Sequence, residues 1–254
     1  MKITILGCGS SGGVPMIGND WGVCDPKEPR NRRTRVSILV EQGDTTILVD
    51  TSPDMRQQLL AADVKKISAV LYTHAHADHT HGIDDLRSVN WLMQKPVPIY
   101  LDDATLEELT ERFAYVFKGS YVPGHFYKPT IIVHRIDGAF DVEGVHVVPF
   151  QQEHGYVSSL GFRFGDFAYS TDAHLLNDES FAALEGVQHW VVDCVRKEPH
   201  PTHSHLAQTL EWIQRVKPQR AYLTHMNQSM DYATLAANLP AGVEPAYDGM
   251  IIEC

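Results

Sequence analysis

Residues 72–82 read YTHAHADHTHG, and within them His74, His76, Asp78 and His79 fall at relative positions 0, 2, 4 and 5. Imidazole and carboxylate are the groups that hold Zn²⁺ and neighbouring first-row cations, at about 2.0–2.2 Å. The segment follows the apolar run ISAVLYT, so it lies where a buried strand ends and a helix begins. So short a stretch seldom completes a dinuclear site alone, and further ligands must come from distant strand ends. His154 closes VVPFQQEH, Asp172 follows FAYST, and His225 follows AYLT. A lone histidine or aspartate after an apolar run is most often a turn residue. Sharing one topological position with the histidine cluster, these residues together point to a metal site.

The elements that must position them alternate between strand and helix. KITILG, RVSILVE and TTILVDT are short β-branched runs separated by turn formers or charge. Ser52-Pro53 reads as a helix start, with Ser as cap and Pro at the first helical position, running through DMRQQLLAADV. HGIDDLRSVNWL reads as a helix leaving the cluster, VPIYLD as a strand, and ATLEELTERFAYVF as an amphipathic helix. Residues 118–130, KGSYVPGHFYKPT, read as an exposed loop and a candidate lid. The second half repeats the style, with strands IIVHRID, HVVPFQQEH, SLGFRFGDFAYSTDAH, HWVVDCV, RAYLTH and GMIIE around helices HLAQTLEWIQRV and DYATLAANL. Two mixed halves that each place polar residues at strand ends suggest a four-layer αββα sandwich, in one domain spanning residues 1–254.

Bulk properties narrow the function. The 254 residues carry 21 Lys and Arg against 32 Asp and Glu, for a formal charge of −11. That balance excludes a general nucleic-acid-binding surface but not a small anionic substrate in a locally positive pocket. The four cysteines are scattered without metal-knuckle spacing, which favours reduced thiols. The opening MKITILGCGSSGG has too short an apolar run for a signal peptide, and no run approaches the ~20 apolar residues of a membrane span. The expectation is a cytoplasmic protein with no membrane association. GCGSSG matches a dinucleotide-loop pattern, but GVPMIGNDWGVCDP follows it and cannot open the required helix. A glycine-lined turn, close to a substrate or serving only as a tight connection, is expected instead.

The His-x-His-x-Asp-His motif, followed in order by His154, Asp172 and His225, resembles the metallo-β-lactamase superfamily. The resemblance covers nearly the whole chain and includes Asp50 in ILVDTS. It implies the αββα metallo-β-lactamase sandwich of the α/β class. It also implies two divalent metal ions, Zn or Mn, with His74, His76 and His154 on one, Asp78, His79 and His225 on the other, and Asp172 bridging. Asp50 then supports the ligands rather than binding metal. Such a pair, about 3.5–4 Å apart, lowers the pKa of a bridging water toward neutrality and stabilises developing oxygen charge.

The start LGCGSSGGVP, the basic NRRTR, HPTHSH and the terminal YDGM resemble the PhnP-like phosphodiesterase branch, which borders on tRNase Z. The resemblance implies that His203 contacts the phosphoryl oxygen or protonates the leaving alkoxide, with His205 as the rival assignment. Asp78 and His203 are the catalytic candidates. Arg33 and Arg35, from the only local basic cluster, join His203 as substrate-binding candidates because planar guanidinium donors suit phosphate. Tyr121, Phe126 and Tyr127 could stack a base. Two departures stand out: only Cys24 remains of a cysteine cluster that forms a separate zinc site in some PhnP-type members, and Gln228 stands where a partnering histidine is expected. No basic arm for a tRNA elbow is recognisable. The expected protein is a hydrolase of small cyclic or nucleotide-like phosphodiesters, without a stable nucleic-acid partner and with a homodimer as the candidate assembly. A glyoxalase-II-like thioesterase and a PqqB-like non-hydrolytic carrier are the alternatives.

Overall fold

The computed structural model describes residues 1–118 and 122–254, so Tyr121, a candidate for base stacking, lies outside the described residues. β1 (Lys2–Gly7), β2 (Ser37–Gln42), β3 (Thr45–Val49), β4 (Ala69–Leu71), β5 (Val97–Leu101) and β6 (Ile131–Arg135) form one sheet, to which β14 (Ile251–Glu253) returns at the edge beside β1. The second sheet holds β7 (Phe140–Val142), β8 (Val145–His154), β9 (Val157–Phe164), β10 (Phe167–Ser170), β11 (His189–Asp193), β12 (Arg220–Thr224) and β13 (Val243–Pro245), in reverse spatial order. Each sheet is seven-stranded.

Alternation within the strands builds the layers. Ile3, Ile5, Ile38, Val40, Ile47 and Val49 face the core shared with the second sheet. Their neighbours Leu6, Leu39, Leu48 and Val70 face a second core. That core is completed by Met55 of α1 (Met55–Ala61), Leu86 of α3 (Leu86–Met93) and Leu109 of α4 (Asp103–Arg112). Burial on both faces is why these strands read as nearly continuous apolar runs. On the far side, α6 (Asp178–Ala183), α7 (Leu206–Val216) and α8 (Tyr232–Asn238) cover the second sheet, α7 through Trp212 and Ile213. The order helix, sheet, sheet, helix is the expected αββα sandwich. Strands β3 to β6 run parallel, as do β10 to β13. Their carboxyl ends are the topological position at which ligand-type residues were expected. Among the described residues, no helix is long and apolar enough to cross a membrane.

Three local expectations give way to tertiary demands. The helix expected from Ser52-Pro53 begins at Met55. Asp54 does not cap it, because its carboxylate accepts from the Arg35 amide at 2.9 Å and faces Arg35 Nε at 3.0 Å. The helix leaving the cluster is broken into α2 (Ala77–Thr80), a 3₁₀ turn at Ile83–Asp85, and α3. The long amphipathic helix breaks at Phe113 into α4 and α5 (Ala114–Phe117).

The glycine loop is a backbone clamp. A Cβ on Gly7 would stand 2.1 Å from the Arg35 carbonyl oxygen, so only glycine fits there. Gly9 N donates to Thr34 O at 2.7 Å, and Met226 N donates to Cys8 O at 2.9 Å, tying the turn after His225 to the chain start. Arg33, expected to contact substrate, works beneath this clamp. It is 2% exposed. It donates to Met230 O at 2.7 Å, Asn31 Oδ1 at 3.2 Å and Asn227 O at 3.4 Å. Its guanidinium also lies 4.0 Å from Cys24 Sγ, so it cross-links the Cys24 and Gln228 segments where a separate zinc site was not expected.

Arg33→Met should therefore leave buried carbonyls without donors and cost about 2–4 kcal/mol. Thermal denaturation should show the melting temperature fall by roughly 5–15 °C. An unchanged melting temperature would contradict the clamp.

Candidate metal centre

Each polar residue of the site follows a strand or a turn anchored by one. Asp50 follows β3, the segment 73–79 follows β4, His154 ends β8, Asp172 follows β10, Asp193 ends β11 and His225 follows β12. Asp50, Asp172 and His225 have left-handed φ values of 64°, 53° and 58°. This conformation costs an L-residue about 1–2 kcal/mol, and it persists where surrounding structure over-determines it. Here it turns side chains off the strand ends towards one another.

The structure brings the expected residues into two groups that share Asp172. His74, His76, His154 and Asp172 place one ligand-type atom each within 4.8 Å of the others, and so do Asp78, His79, Asp172 and His225. Asp172 divides its oxygens between them. Oδ1 lies 3.5 Å from His154 Nε2 and 3.8 Å from His74 Nε2. Oδ2 lies 3.1 Å from His79 Nε2 and 3.4 Å from His225 Nε2. Asp78 Oδ2 approaches His79 and His225 at 3.5 and 3.6 Å.

Hydrogen bonds behind the imidazoles assign which nitrogen faces inward. His79 Nδ1 meets Asp50 Oδ2 at 2.7 Å, while Asp50 also accepts from the Thr73 amide at 2.8 Å and its hydroxyl at 2.9 Å. His154 Nδ1 donates to Thr202 O at 2.7 Å, and His74 Nδ1 meets Thr73 Oγ1 at 3.0 Å. Nε2 is thereby turned to the site in each case. Asp50 meets the inner groups at His79 and braces them further through Thr73.

The donor set fits divalent cations. Among the described residues, Nε2 of His74, His79 and His225 is buried without a hydrogen-bond partner, a state that native interiors rarely tolerate. Burial holds the His74, His76 and His154 imidazoles below their ordinary range, which keeps lone pairs available. Burial opposes ionisation of Asp172, but His225 and His79 outweigh it and hold its carboxyl well below the usual range. Burial likewise opposes charge on His79, yet Asp172, Asp78 and Asp50 outweigh it and push that imidazole up. The cluster demands positive charge at its centre, and cations against the inward nitrogens would meet that demand.

His203 is brought to the same place. Its ring stacks on His225 with centroids 4.6 Å apart, and Nε2 lies 3.9 Å from Asp172 Oδ1. Behind it stands Asp193, which sequence reasoning missed, with Oδ2 3.5 Å from His203 Nδ1 and Oδ1 3.8 Å from His225 Nδ1. Asp193 is itself fixed by the Ser204 amide at 3.0 Å. Burial works against a charged His203, but Asp193, then Asp172 and Asp78, push it up to about 9. His205 instead occupies the N-cap of α7 and faces Gln208 Oε1 at 3.2 Å. Arg35 pairs with Asp54 and lies against Gly13 of the glycine loop, while neighbouring Ser11 lines the site cavity. Phe126 is buried, its ring edge-on to Trp91, whereas Tyr127 is exposed.

Residues 45–226 match the β-lactamase superfamily domain family. A solved structure described as a new diphosphatase from the PhnP family is 35% identical, superposes with a TM-score of 0.91, and covers 100% of this chain and 97% of its own. An octanoyltransferase of Porphyromonas gingivalis (strain ATCC BAA-308 / W83) is 31% identical over 98% of this chain and 51% of its own length. A ribonuclease Z of Mycobacterium sp. (strain KMS) is 29% identical over 64% of this chain and 56% of its own length. The chain thus spans about half the length of these curated relatives.

If Asp50 fixes the His79 imidazole for metal binding, Asp50→Asn should weaken cation affinity by about 10–100-fold. Competition against a chromophoric chelator reads this directly, and unchanged affinity would remove Asp50 from the site.

Proposed function

The chain belongs to the metallo-β-lactamase superfamily, in its PhnP-like branch, and on that footing we propose that this hydrolase cleaves phosphodiester bonds of small cyclic or nucleotide-like substrates. The observation that carries the reading is the His203–Asp193 pair set against a carboxylate shared by two ligand groups. When bound by His74, His76, His154, Asp172, Asp78, His79 and His225, two divalent cations would supply Lewis acidity and a nucleophilic water at neutral pH. The chain's own contribution is geometric and protonic. The site cavity, about 190 Å³, is lined by Ser11, Asp78, Asp172 and His203 among others, a size that suits a phosphoryl group.

His203 is the acid. Asp193 holds the ring from behind at Nδ1, leaving Nε2 beside Asp172 and facing the cavity. As the bond from phosphorus to the ester oxygen breaks, Nε2–H donates its proton to the departing alkoxide, and the proton released by the attacking water restores it. A second reading, cleavage of a diphosphate, is favoured by the description of the 35% identical structure. The leaving phosphate of that reaction is a far weaker base than an alkoxide and needs little protonation, so the two readings differ in their dependence on His203.

Metal-stripped protein reloaded with Zn²⁺ or Mn²⁺ should turn over bis(p-nitrophenyl) phosphate. Absence of turnover in protein that binds both ions, with activity on an acyl thioester, would overturn the reading. With an alkyl-leaving diester, His203→Ala should lower kcat by about 10²–10⁴. A small loss would favour the diphosphate. His203 acts protonated, so kcat should fall as pH rises through its pKa. Asp193→Asn, which removes the charge holding that pKa up, should move the alkaline limb to lower pH. A limb that stays in place would remove Asp193 from the mechanism.

A further inference from the structure

Beside the site cavity lies a second, larger one of about 440 Å³, and the two share His76, Tyr156 and Val157. The smaller space holds little beyond a phosphoryl group, whereas the larger falls within the range of ligand-sized pockets, roughly 300–1,000 Å³. Whatever is esterified to the phosphoryl group has this side cavity open to it. Resting on the hydrolase reading above, we propose that the side cavity is a subsite for an uncharged nucleoside moiety of the substrate, its sugar hydroxyls on Asp102, Gln151 and Ser158 and its base on the ring of Tyr156.

The chemistry of the walls selects that class. Asp102, Glu108, Gln151 and Ser158 line the cavity, and among the described residues no lysine or arginine does. The nearby Arg112 is spent on Glu108 and the Ala75 carbonyl. A wall of carboxylate, amide and hydroxyl repels a second phosphate and matches vicinal hydroxyls, which a carboxylate can accept from in pairs. Asp102 uses Oδ1 to cap α4 at the Thr105 amide, 2.8 Å away. Among the described residues its other oxygen takes no hydrogen bond, nor do the side chains of Gln151 and Ser158.

Tyr156 supplies the aromatic face. It sits at the β8–β9 hairpin tip and is fully exposed, so its ring face is open to a ligand. The tip is nonetheless held in place. His154 Nδ1 donates to Thr202 O at 2.7 Å. Gly155, with φ +67°, lies so close to Thr202 that a Cβ would meet its methyl at 2.4 Å. A rigid tip presenting an unpacked ring between two cavities suits stacking against a flat base, which every base tolerates.

The test uses the metal-loaded protein with adenosine 5′-(p-nitrophenyl) phosphate, which carries the vicinal ribose hydroxyls, and bis(p-nitrophenyl) phosphate, together with saturation-transfer NMR of adenosine. Asp102→Asn keeps the helix cap and removes the charge, and Tyr156→Ala alters an exposed side chain, so both variants should fold. Each should lower the ratio of kcat/KM for the nucleoside ester over the aryl ester by roughly tenfold, mainly through KM, and each should weaken the adenosine signal. An unchanged ratio and unchanged adenosine signal in both variants would overturn the subsite. If the wild type hydrolyses neither ester, the hydrolase reading fails, and adenosine binding alone then decides the subsite: loss of signal in the variants supports it and retention overturns it.

Discussion

The Asp172 carboxylate, shared between two groups of inward-facing imidazoles, is the constraint on which the remaining structure depends. Each oxygen faces a different histidine pair at 3.1–3.8 Å. So dense a set of buried nitrogens and carboxylates would be costly if left uncompensated. The sandwich backs these rings from outside: hydrogen bonds join His79 to Asp50, His154 to Thr202 and His74 to Thr73, and Asp193 lies 3.5 Å behind His203 and 3.8 Å behind His225. Without those partners the imidazoles could rotate and the shared centre would lose its geometry.

The fold makes this possible by aligning the carboxyl ends of parallel strands from two sheets. Strand ends leave backbone free to enter the left-handed region, and Asp50, Asp172 and His225 all do so. The clamp of Gly7 and Gly9 on residues 33–35, with Met226 held by Cys8, fixes the last of these turns from outside. Arg33 lies beneath the same clamp, so a residue that read as a phosphate contact is part of the scaffold. Function is then distributed by depth. Of the seven metal-type ligands, His74, His79, His154, Asp172 and His225 are buried while His76 and Asp78 are more open, His203 and Asp193 stand at one wall, and the hairpin tip with Tyr156 stands at the mouth.

Much of this was legible in the sequence because period and position carry it. The alternating apolar runs predicted the sheets, and His74, His76, Asp78, His79, His154, Asp172 and His225 were visible as ligand types at strand ends. Asp193 was not, since HWVVDCV reads as one uninterrupted strand, although an aspartate closing an apolar run is the same signal that Asp172 gives. Asp102 and Tyr156 were hidden for a different reason. Each reads as an ordinary cap or turn residue, and only tertiary folding sets a helix start beside a hairpin tip. The helix boundary at Ser52-Pro53 failed because Asp54 is claimed by Arg35, a contact between segments that local propensity does not contain.

The most direct test of the shared carboxylate is the number of ions held per chain, measured by native mass spectrometry after titration with Zn²⁺ or Mn²⁺, in the wild type and in Asp172→Ala. The account predicts two ions on the wild type and at most one, weakly held, on the variant, with both chains equally folded by circular dichroism. Two ions on the variant at undiminished affinity would contradict it, because the groups would then bind independently of the residue that joins them.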